Sequence, residues 1–87
     1  MKTVNTLFGD VTITDIHMVR KQGYGQYNVE VSITFNGKED IIRIHSSNSR
    51  LFDKLSDMDT QAERAAHLLD TLEYVIELAI ENYTDHI

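Results

Sequence analysis

The fold is decided by residues 27–45, which read YNVEVSITFNGKEDIIRIH. The first half alternates apolar and polar side chains with a period of two, which is typical of a β-strand with one buried face. The Asn-Gly dipeptide at 36–37 interrupts the alternation. It favours a two-residue type I′ turn, because both positions of that turn require a positive φ. The stretch therefore predicts an antiparallel hairpin whose inward residues are Tyr27, Val29, Val31, Ile33 and Phe35.

The register of this hairpin follows from its loop. With the Asn-Gly dipeptide as the two loop residues, Phe35 lies opposite Lys38, and the other pairs follow by counting outward. On the polar face this register sets Glu30 opposite Arg43, an opposite-charge pair that supports a hairpin modestly. The apolar pattern and the charge pattern thus predict the same pairing. On the apolar face the pairs are Val31 with Ile42 and Val29 with Ile44.

Two more strands are predicted upstream of the hairpin. In residues 11–20 the inward-facing apolar side chains are at odd positions at first and at even positions later. A β-bulge near Asp15 explains this change. Residues 2–8 are interpreted as an edge strand, joined to the next strand by a type II′ turn at Gly9-Asp10. Residues 21–26, which include two glycines, are expected to form the loop that leads into the hairpin.

The C-terminal part of the chain predicts helices, because the apolar period lengthens to about 3.6 after Ser46. A short helix is expected over 48–56. Thr60 and Glu63 match a capping box at the start of a long helix over 60–83, since the Thr60 hydroxyl can accept from the backbone N–H three residues on. Its apolar face should pack on the sheet, with the C-terminal end overhanging it. This face consists of Ala65, Leu68, Leu69, Leu72, Val75, Ile76, Ala79, Ile80 and Tyr83.

The predicted fold is a single α+β domain over 1–87, with its sheet within 2–46. A three- to four-stranded antiparallel β-meander precedes a short helix and a long C-terminal amphipathic helix packed on one sheet face. A chain of 87 residues buries only roughly 60% of its unfolded surface, which allows one core. There is no cysteine, and neither a leader nor a membrane span is recognisable. We therefore expect a cytoplasmic protein stabilised by packing alone.

The net charge of −6 is unevenly distributed along the chain. Residues 1–52 contain six Lys and Arg against five Asp and Glu, whereas residues 53–87 contain two against nine. Phosphate binding needs clustered Lys and Arg, so the acidic third is not expected to bind nucleic acid directly. Neither a nucleophile elbow nor a recognised phosphate-binding loop occurs. The sequence predicts a protein that is not an enzyme and has no cofactor or metal site.

Acidic residues recur in the predicted long helix at spacings of three and four. Like charges at these spacings destabilise an isolated helix by about 0.2–0.5 kcal/mol per pair, and negative charge is unfavourable near a helix C-terminus. A basic partner surface would relieve both effects. An aromatic and an aliphatic side chain project among these carboxylates and are reasonable interface anchors. The candidate partner-binding residues are Asp70, Glu73, Tyr74, Glu77, Leu78 and Glu81.

These features predict a non-enzymatic protein-binding module whose acidic helix face docks on a basic protein surface. One specific form is an inhibitor encoded by a phage or mobile element, whose acidic face mimics nucleic-acid charge and occupies the channel of a nucleic-acid-binding protein. Alternatively, the acidic face is a solvated surface that keeps the protein soluble. A further alternative is a structural or regulatory homo-oligomer, such as a homodimer, that assembles through the C-terminal helix. Its seam would be Leu69, Leu72, Ile76, Ala79 and Tyr83.

Two smaller patterns suggest ligand binding. Tyr24 and Tyr27, close to the basic pair at 20–21, resemble a platform on which single-stranded bases stack. A second pattern places one histidine between two carboxylates on a helix face, but a single helix supplies too few ligands for a metal ion. That pattern is Glu63, His67 and Asp70.

Overall fold

The computed structural model describes residues 2–20, 27–46 and 49–86. Its strands are β1 (Lys2–Thr6), β2 (Gly9–Arg20), β3 (Tyr27–Phe35) and β4 (Lys38–Ser46), and its helices are α1 (Ser49–Ser56), α2 (Gln61–Thr71) and α3 (Glu73–Asp85). The strands form one antiparallel sheet in the order β1-β2-β3-β4, so β1 and β4 are the edge strands. The predicted α+β fold is confirmed.

The β3–β4 hairpin has the predicted turn and register. Asn36 and Gly37 have φ values of 53° and 77°, which is the left-handed conformation that a type I′ turn requires at both positions. The inward residues of β3 are all buried, whereas those between them are half-buried. The predicted pairs are all present, namely Phe35–Lys38, Val31–Ile42, Val29–Ile44 and Glu30–Arg43.

The predicted bulge lies in β2. The pairing of β2 with β3 shifts by one residue between Ile13 and Asp15. Because of this shift, Ile13 and Ile16 both point toward the core, and neither is exposed. The change in apolar parity thus has the structural cause that the sequence indicated.

The first turn differs from the prediction. β1 ends at Thr6, which already pairs with Gly9, so Leu7 and Phe8 form the turn. The predicted edge strand over 2–8 is therefore present but ends two residues earlier, and the type II′ turn expected at Gly9-Asp10 is wrong. The Thr6 hydroxyl explains why the turn lies at Leu7 and Phe8, because it accepts from the Phe8 N–H at 3.2 Å and donates to the Gly9 carbonyl at 2.6 Å. Gly9 has a φ of 127°, so the glycine is needed directly after the turn.

The core lies between one face of the sheet and the three helices. The other face of the sheet is open, and Ile41 of β4 is 43% exposed there. α2 packs on β2, whereas α3 packs on β1 and β4. The buried helical residues that contribute to the core are Leu51 and Leu55 of α1, Ala65 and Leu68 of α2, and Ile76 and Ile80 of α3.

The predicted long helix is interrupted at Leu72. The Thr60 cap is confirmed, since its Oγ1 accepts from the Glu63 N–H at 3.1 Å. Leu72, however, has φ −105° and ψ 18°, far from the helical values of about −63° and −42°. Its N–H donates to the Leu68 carbonyl at 2.9 Å, and its carbonyl accepts from the Ile76 N–H at 2.8 Å. The expected single helix over 60–83 is therefore two helices that meet at this residue, and the second continues to Asp85.

The interruption also changes which side chains of α3 face the sheet. Val75, expected in the core, is 42% exposed, whereas Thr84 is buried. The expected overhang is absent as far as α3 is described, because the Tyr83 hydroxyl donates to Asp40 Oδ2 of β4 at 3.0 Å. The loop predicted over 21–26 with Tyr24 and the helix start at residue 48 lie outside the described residues.

Candidate functional site

The candidate site is built on the solvent side of α3. We call Asp70, Glu73, Tyr74, Glu77, Leu78 and Glu81 the acidic α3 surface. Tyr74 is 72% exposed and Leu78 is 46% exposed. Among the acidic residues, Glu77 is half-buried and the other three are exposed. All six predicted residues are therefore accessible, although Asp70 lies on α2, on the other side of the interruption at Leu72.

A cation from the first strand lies against this surface, which the sequence analysis did not predict. Lys2 Nζ lies 3.2 Å from Glu73 Oε1 and 3.7 Å from Glu77 Oε1. All three side chains are at least one-third exposed, so each pair contributes about 0–1 kcal/mol. Lys2 thus partly neutralises the end of the surface nearest Leu72, and no local sequence signal connects residues this far apart in the chain.

The β1–β2 turn extends the site at the other end of α3. Leu7 is 97% exposed and Phe8 is 57% exposed, so two adjacent large apolar side chains face solvent at this turn. A shallow groove separates Leu7 from the acidic end of α3. It is lined by Asn5, Thr6, Leu7, Glu81, Thr84 and Asp85. This turn is not predicted when both apolar residues are assigned to the first strand, although the threonine before them and the glycine after them are turn signals.

Asp40 and Tyr83 fix the end of α3 relative to the sheet. Asp40 Oδ1 accepts from the Ile41 N–H at 2.8 Å, while its Oδ2 accepts from the Tyr83 hydroxyl at 3.0 Å. The Ile41 N–H, followed by the Tyr83 hydroxyl, lowers the pKa of Asp40 below its ordinary value. Burial, followed by the hydrogen bond to Asp40, raises the pKa of Tyr83. This hydrogen bond joins the last turns of α3 to β4.

A separate charged network crosses the open face of the sheet. His17 Nε2 lies 3.4 Å from Glu30 Oε1, and His17 Nδ1 lies 3.7 Å from Asp15 Oδ2. Glu30 Oε2 also accepts from Arg43 Nε at 3.3 Å. The helical pattern of Glu63, His67 and Asp70 gathers no further ligands, and His67 Nε2 lies 3.3 Å from Thr71 Oγ1. Within residues 2–20, 27–46 and 49–86, no three His, Cys, Asp or Glu side chains could hold a metal ion together.

Comparison with family models, with curated proteins and with solved structures finds no significant match to this chain. Across the described helices, none is both long enough and apolar enough to cross a bilayer.

Proposed function

We propose that this protein is a non-enzymatic protein-binding module whose acidic α3 surface docks on a basic surface of a partner protein. The observation that carries the proposal is the placement of Tyr74 and Leu78, exposed among carboxylates on one helix. Tyrosine is enriched among the few residues that supply most of the binding energy at protein interfaces, and neighbouring contacts such as one through Leu78 exclude water around it. The surrounding charges favour encounter with a partner of opposite sign and exclude partners of the same sign.

The β1–β2 turn supports the same proposal. Leu7 stands beside Glu81 and Asp85 across the shallow groove, so an apolar contact adjoins the acidic residues here as well. A partner that places apolar side chains between Lys and Arg residues fits both ends of this surface. The bound protein would be a basic one, and free nucleic acid is not the expected ligand.

The more specific form of the proposal is mimicry of nucleic-acid charge by a phage or mobile-element inhibitor. Glu73, Glu77, Glu81 and Asp85 follow each other at four-residue steps, which are roughly 6 Å along a helix. Each strand of DNA carries one phosphate per about 3.4 Å of axis. The stripe therefore supplies about half that linear density, which suits occupation of a short basic patch within a nucleic-acid-binding channel.

The oligomer alternative would use a seam that packs largely against the protein's own core. Ile76 of the helical seam is only 2% exposed, and Leu69, Leu72 and Tyr83 pack against the protein's own core. An assembly through this seam would first have to detach α3 from the sheet. The alternative that the acidic face is only a solvated surface predicts no binding. Replacing glutamates of the acidic α3 surface separates it from the docking proposal.

The test removes three of the four negative charges of this stripe without changing its shape. The triple variant Glu73→Gln, Glu77→Gln, Glu81→Gln changes the net charge from −6 by three units, as does the control Asp53→Asn, Asp57→Asn, Asp59→Asn in and beside α1. Wild type and both variants are immobilised and used to capture proteins from a cell extract at two salt concentrations. We expect a basic protein to be retained by wild type and by the control, and lost with the stripe variant or at high salt.

The same captured protein is then purified, and its Kd is measured for all three chains. If the stripe variant binds it as tightly as the control does, the acidic α3 surface is not the docking site. If no basic protein distinguishes the three chains, the acidic residues only keep the protein soluble. Circular dichroism controls for folding, since Glu→Gln removes like-charge repulsion within α3 and also the exposed ion pairs of Lys2 with Glu73 and Glu77, each worth about 0–1 kcal/mol.

A further inference from the structure

The outer edge of the sheet at β4 carries backbone groups that do not bond to β3. In the two-residue hairpin, Phe35 and Lys38 form the first hydrogen-bonded pair, so alternate residues of β4 direct their N–H and C=O groups toward β3. The residues between them direct these groups away from the sheet. They are Glu39, Ile41, Arg43 and His45.

The side chains of β4 are incompletely covered on both faces of the sheet. On the open face, Ile41 is 43% exposed and the Arg43 side chain is 61% exposed. On the core face, Ile42 and Ile44 are only partly buried, whereas the inward residues of β3 are all buried. An edge strand of this kind is a template for pairing with another strand.

We propose that β4 pairs antiparallel with β4 of a second copy of this chain, about a two-fold axis through Ile41. Ile41 then lies against Ile41 of the other copy, and the sheet becomes continuous through both molecules. Glu39 lies opposite Arg43 of the other copy, and the axis repeats this pair on the other side. In the pairs Ile41–Ile41 and Glu39–Arg43 the backbone groups of both residues point outward, so each of these pairs exchanges two hydrogen bonds.

The charges of the strand select this register over its neighbours. With the axis one residue further along, Ile41 would face Arg43, and no pair of opposite formal charges would form. With the axis at Arg43, the two arginines would oppose each other, which is destabilising. The register about Ile41 joins the exposed apolar residue to itself and forms an opposite-charge pair on either side of it.

Asp40 opposes this pairing and keeps it weak. Its Oδ1 accepts from the Ile41 N–H at 2.8 Å, and that N–H must be released before it can donate to the second copy. A carboxylate that occupies an edge donor in this way protects a strand from unwanted pairing. Pairing along one strand also covers less than the roughly 1,200 Å² of a stable interface. The association is therefore best detected by covalent trapping.

The absence of cysteine from the chain makes trapping straightforward. In the proposed dimer the two Ile41 Cα atoms are about 5.5 Å apart, within the range of about 4.4–6.8 Å that a disulfide needs. In the control Glu39→Cys the two Cα atoms would be about 14 Å apart, too far to join. In a glutathione redox buffer, we expect the Ile41→Cys dimer to form at least about tenfold faster than the Glu39→Cys dimer, because only the former is held in bonding geometry.

Two further variants in the Ile41→Cys background test the register and the role of Asp40. Glu39→Arg replaces both charge pairs with like-charge pairs and should slow trapping by about tenfold. Asp40→Ala should speed it, whereas Tyr83→Phe, which leaves the bond to Ile41 in place, should not. Equal rates for the two cysteine variants would overturn the dimer. A rate unaffected by Glu39→Arg would overturn the register, and one unaffected by Asp40→Ala would overturn the protective role of Asp40.

Discussion

At the scale of single residues, the Asp40 carboxylate is hydrogen-bonded to both β4 and α3. Asp40 accepts one hydrogen bond from the edge of β4 and one from the last turns of α3. Both donors favour the ionised carboxylate, which is why the pKa of Asp40 is lowered. The same contact favours the neutral form of Tyr83 and contributes to its raised pKa. Folding is consequently linked to pH at both residues.

The lowered pKa of Asp40 gives stability above its ordinary pKa, which is lost as pH falls through the folded value. We therefore expect Asp40→Asn to lower the free energy of unfolding at pH 7, and the difference from wild type to shrink as pH falls below about 4. Urea denaturation at both pH values measures this. The exposed Asp53→Asn on α1 controls for the loss of a negative charge. A difference that stayed constant with pH would contradict the proposed linkage.

The raised pKa of Tyr83 acts in the opposite pH range. Its contribution is complete below the ordinary pKa of about 10 and is lost as pH rises through the higher folded value. Tyr83→Phe should therefore be less stable than wild type at neutral pH and approach it under alkaline conditions. Denaturation curves recorded from pH 8 upward are the measurement, and parallel pH profiles for the two proteins would count against the assignment.

Gly9 and Gly37 both have a positive φ, but their surroundings differ. At Gly9, with φ 127°, an added Cβ would lie 3.4 Å from Phe35 Cε2, whereas at Gly37, with φ 77°, nothing lies within 4 Å. We expect Gly37→Ala to lower the free energy of unfolding by about 1–2 kcal/mol. Gly9→Ala should cost more, up to about 3 kcal/mol, because its φ of 127° lies farther than that of Gly37 from the left-handed conformation that alanine can adopt. Urea denaturation of both variants measures the two losses, and a larger loss for Gly37→Ala than for Gly9→Ala would contradict the proposed role of Gly9 after the first turn.

At the scale of elements, the rotation of α3 about its own axis decides which residues reach the sheet. Ile76 and Ile80 are buried, and Thr84 continues their four-residue spacing. Val75 belongs to the same apolar pattern in the sequence, yet it is 42% exposed. The interruption at Leu72 accounts for this difference, because a pattern counted continuously from α2 does not keep its phase through a non-helical residue.

A matched pair of substitutions tests this rotation. Ile80→Ala should lower the free energy of unfolding by about 2–5 kcal/mol, since it leaves a cavity in the core. Val75→Ala should change it by no more than about 0.5 kcal/mol, as is usual at the surface. Urea denaturation of both variants gives the comparison. Similar losses for the two variants would mean that α3 does not turn Ile80 toward the core and Val75 toward solvent.

At the scale of the whole molecule, the fold brings the first strand beside the acidic helix. Lys2 is far from Glu73 and Glu77 in sequence, yet it lies against both because α3 packs on β1. The charge at the acidic α3 surface is therefore set by side chains of both α3 and β1. Lys2 weakens the negative field at one end of the surface, and Glu81 lies toward the other end, beside the β1–β2 turn.

Removing this cation should strengthen docking on a basic partner. Lys2→Met should tighten binding of the captured protein by roughly two- to fivefold at low salt, since an exposed charge pair is worth about 0.2–1 kcal/mol. The control Lys54→Met makes the same change of net charge on α1. Titrations at low and high salt measure the effect. An equal gain from the control would show that net charge matters and that position does not.

Much of the sheet could be predicted because its signals are local. The Asn-Gly turn sets the pairing of β3 with β4, and the parity change in residues 11–20 marks the bulge. The first turn was misplaced because Gly9 is used after the turn, where the Thr6 hydroxyl holds Leu7 and Phe8. The exposure of Tyr74 and Leu78 followed from helical spacing alone, whereas the apolar turn beside α3 did not.

The sequence by itself determined the α+β class, the hairpin register, the bulge and the helix start at Thr60, because each depends on backbone preferences and side-chain periodicity within a few residues. Only the tertiary structure decided the interruption at Leu72, the exposure of Val75 and the contacts that Lys2 and Asp40 make with α3. These features depend on how α3 crosses a sheet built from distant parts of the chain. The packing free energy comes from all of those contacts together, so a pattern within a few residues does not predict it.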